Sequence, residues 1–431
     1  NLQFVEHDVV ETIANDEISL KFNIREGEKV LIERINIKGN NVTNESVIRS
    51  ELLLDEGDPL TNLNLDKSIA KLKSRNIFRS VKHEVLPGSK NDLKIIDIFI
   101  EEKPTGEISA GAGVGTNGGS LAFNVTENNW LGEGKIVGFN FELSQETLKG
   151  QFSYTNPNYD LLGNSVSYNL RNTSNDKPNQ GYENSLFAIG ASTSFEQFNN
   201  VTADLGINLS YDDLRTTSNA SDALQKQSGE FTELSASYGF FYDQRDRSFM
   251  PTSGSVISFN QSLPIYADKP FIENGVSASF YNSFSENYIG SGKFLMSTIT
   301  GINDENVRIS KRKSLSSKRL RGFEKGKVGP VDEDDHIGGN YTAAVNFDLS
   351  LPNFLPESTN TDVSLFLDFG NVWGVDYDDS IDDGSKIRSS TGLSASWISP
   401  IGPMTFTLAQ NLSKASTDKT ESFNFNLGTT F

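Results

Sequence analysis

From Gly106 to Phe431 apolar residues recur at every second position over stretch after stretch. Val137, Phe139, Phe141 and Leu143 form one series, and Val201, Ala203, Leu205, Ile207, Leu209 and Tyr211 another. Ala236, Tyr238, Phe240 and Tyr242 continue it, as do Val276, Ala278, Phe280 and Phe284, and Tyr341, Ala343, Val345, Phe347, Leu349 and Leu351. A period of two is that of a strand with one apolar face, and no segment here reads convincingly as a helix. The alternate positions carry Asn, Ser, Thr, Gln and Gly. Polar, glycine-rich or acidic connections separate the series, among them Thr173 to Asn179, Asp212 to Gly229, Asn303 to Gly339 and Asp376 to Lys386. At roughly 20 residues per strand and connection, this region predicts about sixteen strands, an even number as in bacterial outer-membrane barrels.

The first 104 residues follow another pattern. Glu17 to Arg25 alternates and predicts a strand, with Glu26-Gly27-Glu28 as a turn. Residues 29–104 predict a complete unit in the order β-α-α-β-β. It comprises a strand Val30 to Lys38, a short helix capped by Thr43 or Asn44, a helix Leu65 to Arg75 capped by Asn64, and strands Val81 to Leu86 and Leu93 to Glu102 around Pro87-Gly88. Leu65, Ile69 and Leu72 share one helix face. Lys103-Pro104-Thr105 breaks the pattern and marks the boundary. Residues 1–28 then read as the end of a preceding domain, and 105–431 as the barrel.

Composition narrows the chemistry. There is no cysteine, and only His7, His83 and His336 as imidazoles, so neither thiol catalysis nor a Cys/His metal centre can be built. With 57 acids against 38 Lys plus Arg and a net charge of −19, the chain is a poor partner for nucleic acid. It contains no run of about 18 apolar residues and no basic-then-apolar leader. Mean hydropathy of −0.40 looks soluble, yet a barrel strand needs only alternate apolar residues. A soluble β-sandwich also alternates. Lipid outside and water inside is favoured by the split between Phe/Tyr/Leu/Val and Asn/Ser/Thr/Gln/Gly faces, by connections of roughly alternating length, and by the final strand with Phe423, Phe425, Leu427 and Phe431.

Few motifs carry chemistry. Gly113-Val-Gly115-Thr-Asn-Gly118 matches a dinucleotide fingerprint literally, but a strand rather than a helix follows it. The acidic run Asp376 to Asp383 has Ile381 where a calcium loop needs a ligand. His336, among acids, could be oriented by a carboxylate near Ser314 or Ser316, but reads better as part of a polar loop tip. No cofactor is implied. The informative segment is the loop 303–339, long and basic (Arg308, Lys311, Arg312, Lys313, Lys318, Arg319, Arg321) in an acidic chain. Asp348 lies between Phe347 and Leu349, and Asp368 between Leu367 and Phe369, so both point into the lumen if their neighbours face lipid. Arg321, folded inward, has the fork to pair with both.

These residues resemble the BamA outer-membrane assembly family. Leu320-Arg321-Gly322-Phe323 with Gly329-Pro330 is similar to its V-R-G-F loop, and Phe366-Leu367-Asp368-Phe369-Gly370-Asn371-Val372-Trp373 to its lumenal aspartate strand. Asp246-Arg247-Ser-Phe-Met-Pro251-Thr252-Ser-Gly254, Asn129-Trp130-Leu131-Gly132 and Trp397-Ile-Ser-Pro400-Ile-Gly402-Pro403 also fit, and the β-α-α-β-β unit resembles the last of the family's POTRA repeats. The resemblance implies an insertase, not an enzyme, that folds β-barrel clients into the bacterial outer membrane with its POTRA domain in the periplasm. Residues 1–28 would end the penultimate repeat. Arg321, Gly322 and Phe323 would form a lock with Asp368 and with Asp348, where the family commonly has glutamate. A lateral gate would lie between the first strand (106–116, with Ser109, Gly111, Gly113 and Gly115) and the last (422–431, with Phe425, Leu427, Gly428 and Phe431). Glu56 aligns with a position implicated in contacts to a BamD-like lipoprotein. Other assembly subunits, periplasmic chaperones, the bilayer and lipopolysaccharide complete the implied partners.

The residues alone support a weak seam, because a glycine-rich first strand offers little side-chain packing. An opened edge in a bilayer would be satisfied by an incoming strand. A related translocation pore exporting an unfolded partner shares the loop and the repeats, and is the alternative.

Overall fold

The computed structural model describes the chain apart from residues 1–4, 15–16, 27–28, 117, 161, 249, 286–287, 352–360, 400–401 and 429–431. Two compact units result, one of residues 1–107, 126–137 and 156–163, the other of residues 108–125, 138–155 and 164–431.

In the first unit, Val5–Ala14 pairs antiparallel with Glu17–Glu26. Two strands thus stand where alternation predicted one, because V-E-H-D-V-V-E-T-I-A has no period of two. Next come the strand Leu31–Lys38, helices Glu45–Arg49 and Asn62–Ser74, and strands Phe78–Pro87 and Leu93–Glu102. Leu93–Glu102 is central, parallel to Leu31–Lys38 and antiparallel to Phe78–Pro87. Ile48, Leu65, Ile69 and Leu72 bury one face of the helices against Ile32, Ile35, Ile96, Ile98 and Ile100. The second helix starts earlier than expected: Thr61, not Asn64, is its cap, its hydroxyl accepting from the Asn64 N–H at 3.1 Å. Thr61 also lies in the extended backbone a cap requires, whereas Asn64 is already within the first turn.

Glu102 closes this unit's main turn. Its carboxylate accepts from the backbone N–H groups of Asn41, Val42 and Thr43 at 2.9, 3.0 and 2.7 Å. Burial alone would raise its pKa, but these bonds outweigh it and hold it below the ordinary value. In the same unit the turn after Trp130 is built on Asn129, whose side chain accepts from the Gly134 N–H at 2.7 Å and donates to Thr43 Oγ1 at 2.9 Å.

Sixteen strands, from Gly106–Gly115 to Phe423–Gly428, close into an antiparallel barrel in sequence order. Its faces are inverted relative to a soluble barrel. Leu349, Leu365, Leu393, Leu408 and Phe423 stand side by side across five strands, and the last four are 43–58% exposed. The row on the opposite face, Asn346, Asp368, Ser390 and Asn411, points inward, and its first three members are buried. Water outside would leave the apolar belt unfavourable; hydrocarbon outside accounts for both rows. No described helix is long and apolar enough to cross a membrane, as a strand-crossing protein requires none.

The connections carry local structure, and in two places, the helix Asp222–Gln225 and His336, it departs from expectation. One short helix, Asp222–Gln225, does occur, capped by the Ser221 hydroxyl at 3.2 Å from Leu224 N. Four residues are too few for helical periodicity to register. The loop 303–339 is ordered by a 3₁₀ turn at Ile309–Lys311, a hairpin of Val331–Asp332 with Asp335–His336, and a bridge between Lys313 and Gly339 that joins its two stems. His336 is not at a solvated tip: it is paired to Val331 and 6% exposed.

Candidate functional site

Three strands at the inner wall, Tyr341–Ser350, Thr361–Trp373 and Arg388–Ser399, make a cradle for the tip of the loop. Period two fixes which side chains it offers: Asp348 stands opposite Phe366, and Asp368 stands between Asn346 and Ser390. Asp368 has no exposed side-chain surface. It accepts from Arg321 Nε at 2.8 Å, from Arg321 Nη2 at 2.6 Å and from the Arg321 backbone N–H at 3.0 Å, with Asn346 Nδ2 donating at 2.8 Å. Asp348 accepts from Arg321 Nη1 at 2.7 Å and from Lys293 Nζ at 3.1 Å. The guanidinium lies 3.8 Å from the centre of the Phe366 ring, so both its edge and its face are occupied.

The next two residues finish the plug. Gly322 has φ +85°, and a Cβ there would come within 3.0 Å of Ala409 Cβ and 3.2 Å of Asn411 Nδ2. Glycine is therefore demanded by both conformation and space. Its carbonyl accepts from Asn411 Nδ2 at 2.8 Å, and the Arg321 carbonyl accepts from Ser390 Oγ at 2.5 Å. Phe323, 1% exposed, packs with Leu315, Leu320, Val328, Ala344 and Val372.

Sequence reasoning paired only Arg321, yet other cations of the loop also meet acids. Lys311 meets Glu233 at 3.0 Å, Arg312 meets Asp376 at 2.5 Å, Lys313 meets Glu273 at 2.6 Å and Lys325 meets Glu146 at 3.4 Å. Arg308 stacks at 4.2 Å on Phe231 and lies 3.9 Å from Asp212. Burial holds the pKa of the Arg312 guanidinium below its ordinary value, and the neighbouring Asp376 offsets this only in part. Asp376, from the calcium-like run, is occupied instead by Arg312, Asn340 Nδ2 and the Val307 N–H. Strand parity was the available signal: Asp212 alternates with Leu209 and Tyr211, which face out. Tyr182, Leu214, Leu224, Phe231, Ile309 and Ile337 form an apolar cluster, and Asp332 accepts from Ser221 Oγ and Tyr377 OH, both at 2.6 Å.

The closure of the barrel is built differently. Among the described residues its register consists of Asn426 with Gly115, Leu427 with Val114 and Gly428 with Gly113, extended by Thr116 N donating to Phe425 O at 3.1 Å. By contrast, Val201–Thr216 and Gly229–Asp243 pair unbroken from Val201 with Tyr242 to Leu214 with Gly229. Ser109, Gly111, Gly113 and Gly115 are the less exposed positions of the first strand, and Ile108, Ala110, Ala112 and Val114 the exposed ones, so its lumenal row carries one hydroxymethyl and three hydrogens. A Cβ on Gly115 would lie 2.6 Å from Phe425 O, and Gly428, at φ +113°, would place one 2.3 Å from Ala112 O. Behind this seam lies a polar cavity of about 410 Å³ bordered by Lys318, Arg321, Lys325, Glu142, Asn424 and Asn426. Phe431 lies outside the described residues. Glu56 is in the first unit, half exposed, its carboxylate accepting from Ile35 N at 3.0 Å and 3.8 Å from Arg49.

Similarity to known proteins follows the same division. The POTRA family model, described as a surface antigen variable number repeat, matches residues 30–103, and the Omp85 superfamily domain matches residues 129–431. The outer membrane protein assembly factor BamA of Neorickettsia risticii is 27% identical over 97% of this chain, and that of Neisseria meningitidis 25% over 96%. The chain spans 57% and 58% of the lengths of these two relatives. The crystal structure of BamA from Haemophilus ducreyi lacking POTRA domains 1–3 superposes with a TM-score of 0.81 at 23% identity, covering 99% of this chain and 90% of that one. By its barrel and its preceding repeat, the chain belongs to the Omp85 superfamily.

Proposed function

We propose that this chain is the barrel and barrel-proximal repeat of an insertase that folds β-barrel proteins into the bacterial outer membrane, with its small domain in the periplasm. The observation that supports the reading is the seam: a closed barrel whose last joint, among the described residues, rests on a few backbone pairs and a glycine row, whereas strands such as Val201–Thr216 and Gly229–Asp243 pair along most of their length. Among the described residues, parting Gly106–Gly115 from Phe423–Gly428 would break few backbone pairs. It would bare an edge whose N–H and C=O groups find no water in hydrocarbon. A client strand satisfies that edge by β-augmentation, and each further hairpin buries its apolar face in lipid as it pairs, so no nucleotide or metal is required.

In this reading Arg321, Gly322 and Phe323 lock the loop across the lumen, Asp348 and Asp368 hold the lock, and Ser109, Gly111, Gly113, Gly115, Phe425, Leu427 and Gly428 form the lateral gate. Because a translocation pore would share the loop, it is the glycine-rich seam that weighs against that alternative. Clients are unfolded barrel proteins. A BamD-like lipoprotein docking near Glu56, further assembly subunits and chaperones are the expected company. The test is purified protein in liposomes offered an unfolded barrel client: accelerated acquisition of heat-resistant gel mobility by the client supports the insertase. Passage of a client into the lumen of the liposome without insertion would assign the pore instead.

A further inference from the structure

A short segment ties the loop tip to the seam. Between the strands Gly402–Ser413 and Phe423–Gly428 the chain runs alongside residues 322–327 of the loop. Glu421 N donates to Gly322 O at 3.0 Å, Glu324 N donates to Lys419 O at 3.1 Å, Lys419 N donates to Lys327 O at 3.1 Å, and Phe323 bridges Thr420. The contacts continue in both directions. Toward the seam, Glu421 Oε2 accepts from Asn424 Nδ2 at 2.8 Å, and Asn424 Nδ2 also donates to Thr116 Oγ1 at the end of the first strand. Toward the wall, Asp418, with no exposed side-chain surface, accepts from Arg388 Nε and Nη2 at 3.0 Å each, from Ala415 N at 2.6 Å and from the loop's Gly329 N at 3.4 Å. Arg388 spends its remaining nitrogen on Asn371 Oδ1 at 2.8 Å and Lys386 O at 2.7 Å.

We propose that Asp418–Glu421 is a strap that transmits the position of the loop to the seam, with Arg388, Asp418, Glu421 and Asn424 as positioning residues. The inference rests on the seam reading above. Its physical basis is that Gly322 has a carbonyl held jointly by the wall, through Asn411, and by the strap, through Glu421. The loop tip therefore cannot leave the cradle without releasing Glu421, two residues before the last strand begins. A fully bonded buried pair such as Arg388–Asp418 has a single favourable geometry, so it fixes where the strap starts. An exposed flexible hairpin at this place would let the loop and the seam move independently.

The chain has no cysteine, so paired cysteines report the seam directly. With V114C and L427C in the full chain in liposomes, disulfide formation measures seam pairing; A236C with L263C, a register pair within the wall, is the control. Glu421→Pro removes the N–H that Gly322 accepts from, and Asp418→Asn weakens the anchor while keeping its shape. Each is expected to slow disulfide formation at the seam at least several-fold and to leave the control pair unchanged. Arg321→Ala is expected to do the same, and to add nothing in the Glu421→Pro background, because both act through one linkage. Unchanged seam rates in both strap variants, or additive effects of Arg321→Ala and Glu421→Pro, would overturn the strap. Because this readout needs no client, it stands or falls separately from insertase activity; an inactive protein with coupled seam and lock would refute the insertase reading alone.

Discussion

The wall under the loop and the seam beside it are made of the same kind of strand, yet they cohere by opposite means. On the wall, the lumenal row Asn346, Asp368, Ser390 and Asn411 is rich in polar side chains, and each meets the loop or a neighbour that does. At the seam the lumenal row Ser109, Gly111, Gly113 and Gly115 offers almost nothing but backbone. One region is fastened by buried charge, which is costly to break one partner at a time; the other by a few hydrogen bonds whose loss a new strand can make good. A barrel that must stay folded while one joint opens needs this division.

The largest effect is expected where the wall loses its charge balance. Arg321→Ala leaves Asp368 and Asp348 in the lumen without the cation that bridges them, at a cost of about 3–5 kcal/mol. The loop should become cleavable by added protease and client folding should fall toward the uncatalysed rate, while heat-resistant mobility of the barrel itself survives. Arg321→Lys should recover little, since a single ammonium cannot grip two carboxylates and cover the Phe366 ring.

A somewhat smaller effect is expected at the seam. Gly115→Val puts a side chain against Phe425 O and should cost about 1–3 kcal/mol of seam pairing, read as faster hydrogen exchange at Thr116. Gly150→Val, on a strand where a Cβ meets nothing within 4 Å, should leave that exchange unchanged. Equal effects of the two would erase the contrast between seam and wall. Gly322→Ala, strained at positive φ, should destabilise the docked loop by about 1–2 kcal/mol, seen as partial protease sensitivity.

The smallest effect tests the first unit. The Glu102 carboxyl is held below its ordinary pKa, so its contribution is present above the unfolded value and is lost as pH falls through the folded one. The amides of Asn41, Val42 and Thr43 should lose exchange protection across that acid range in the natural chain, whereas Glu102→Gln should be less protected throughout and show no such dependence.

What the sequence disclosed follows from which signals are local. Period two determines parity, so the inward direction of Asp348 and Asp368 could be read from Phe347, Leu349, Leu367 and Phe369 alone. The glycine row of the first strand was equally plain. What stayed hidden depends on distant partners. Arg388 opens a strand and Asp418 lies on a connection thirty residues later, with no pattern to join them. Thr61 was passed over because Asn64 is as good a cap by type, and only the backbone direction at residue 61 decides between them. His336 looked solvated amid Asp332 to Asp335, until the hairpin turned it inward.

Opening of the seam is the central claim, and a reversible lock tests it most directly. In liposomes, V114C with L427C oxidised to a disulfide should fold a barrel client no faster than empty liposomes, and reduction should restore the rate. A locked seam that folds the client as fast as the reduced protein would contradict the account.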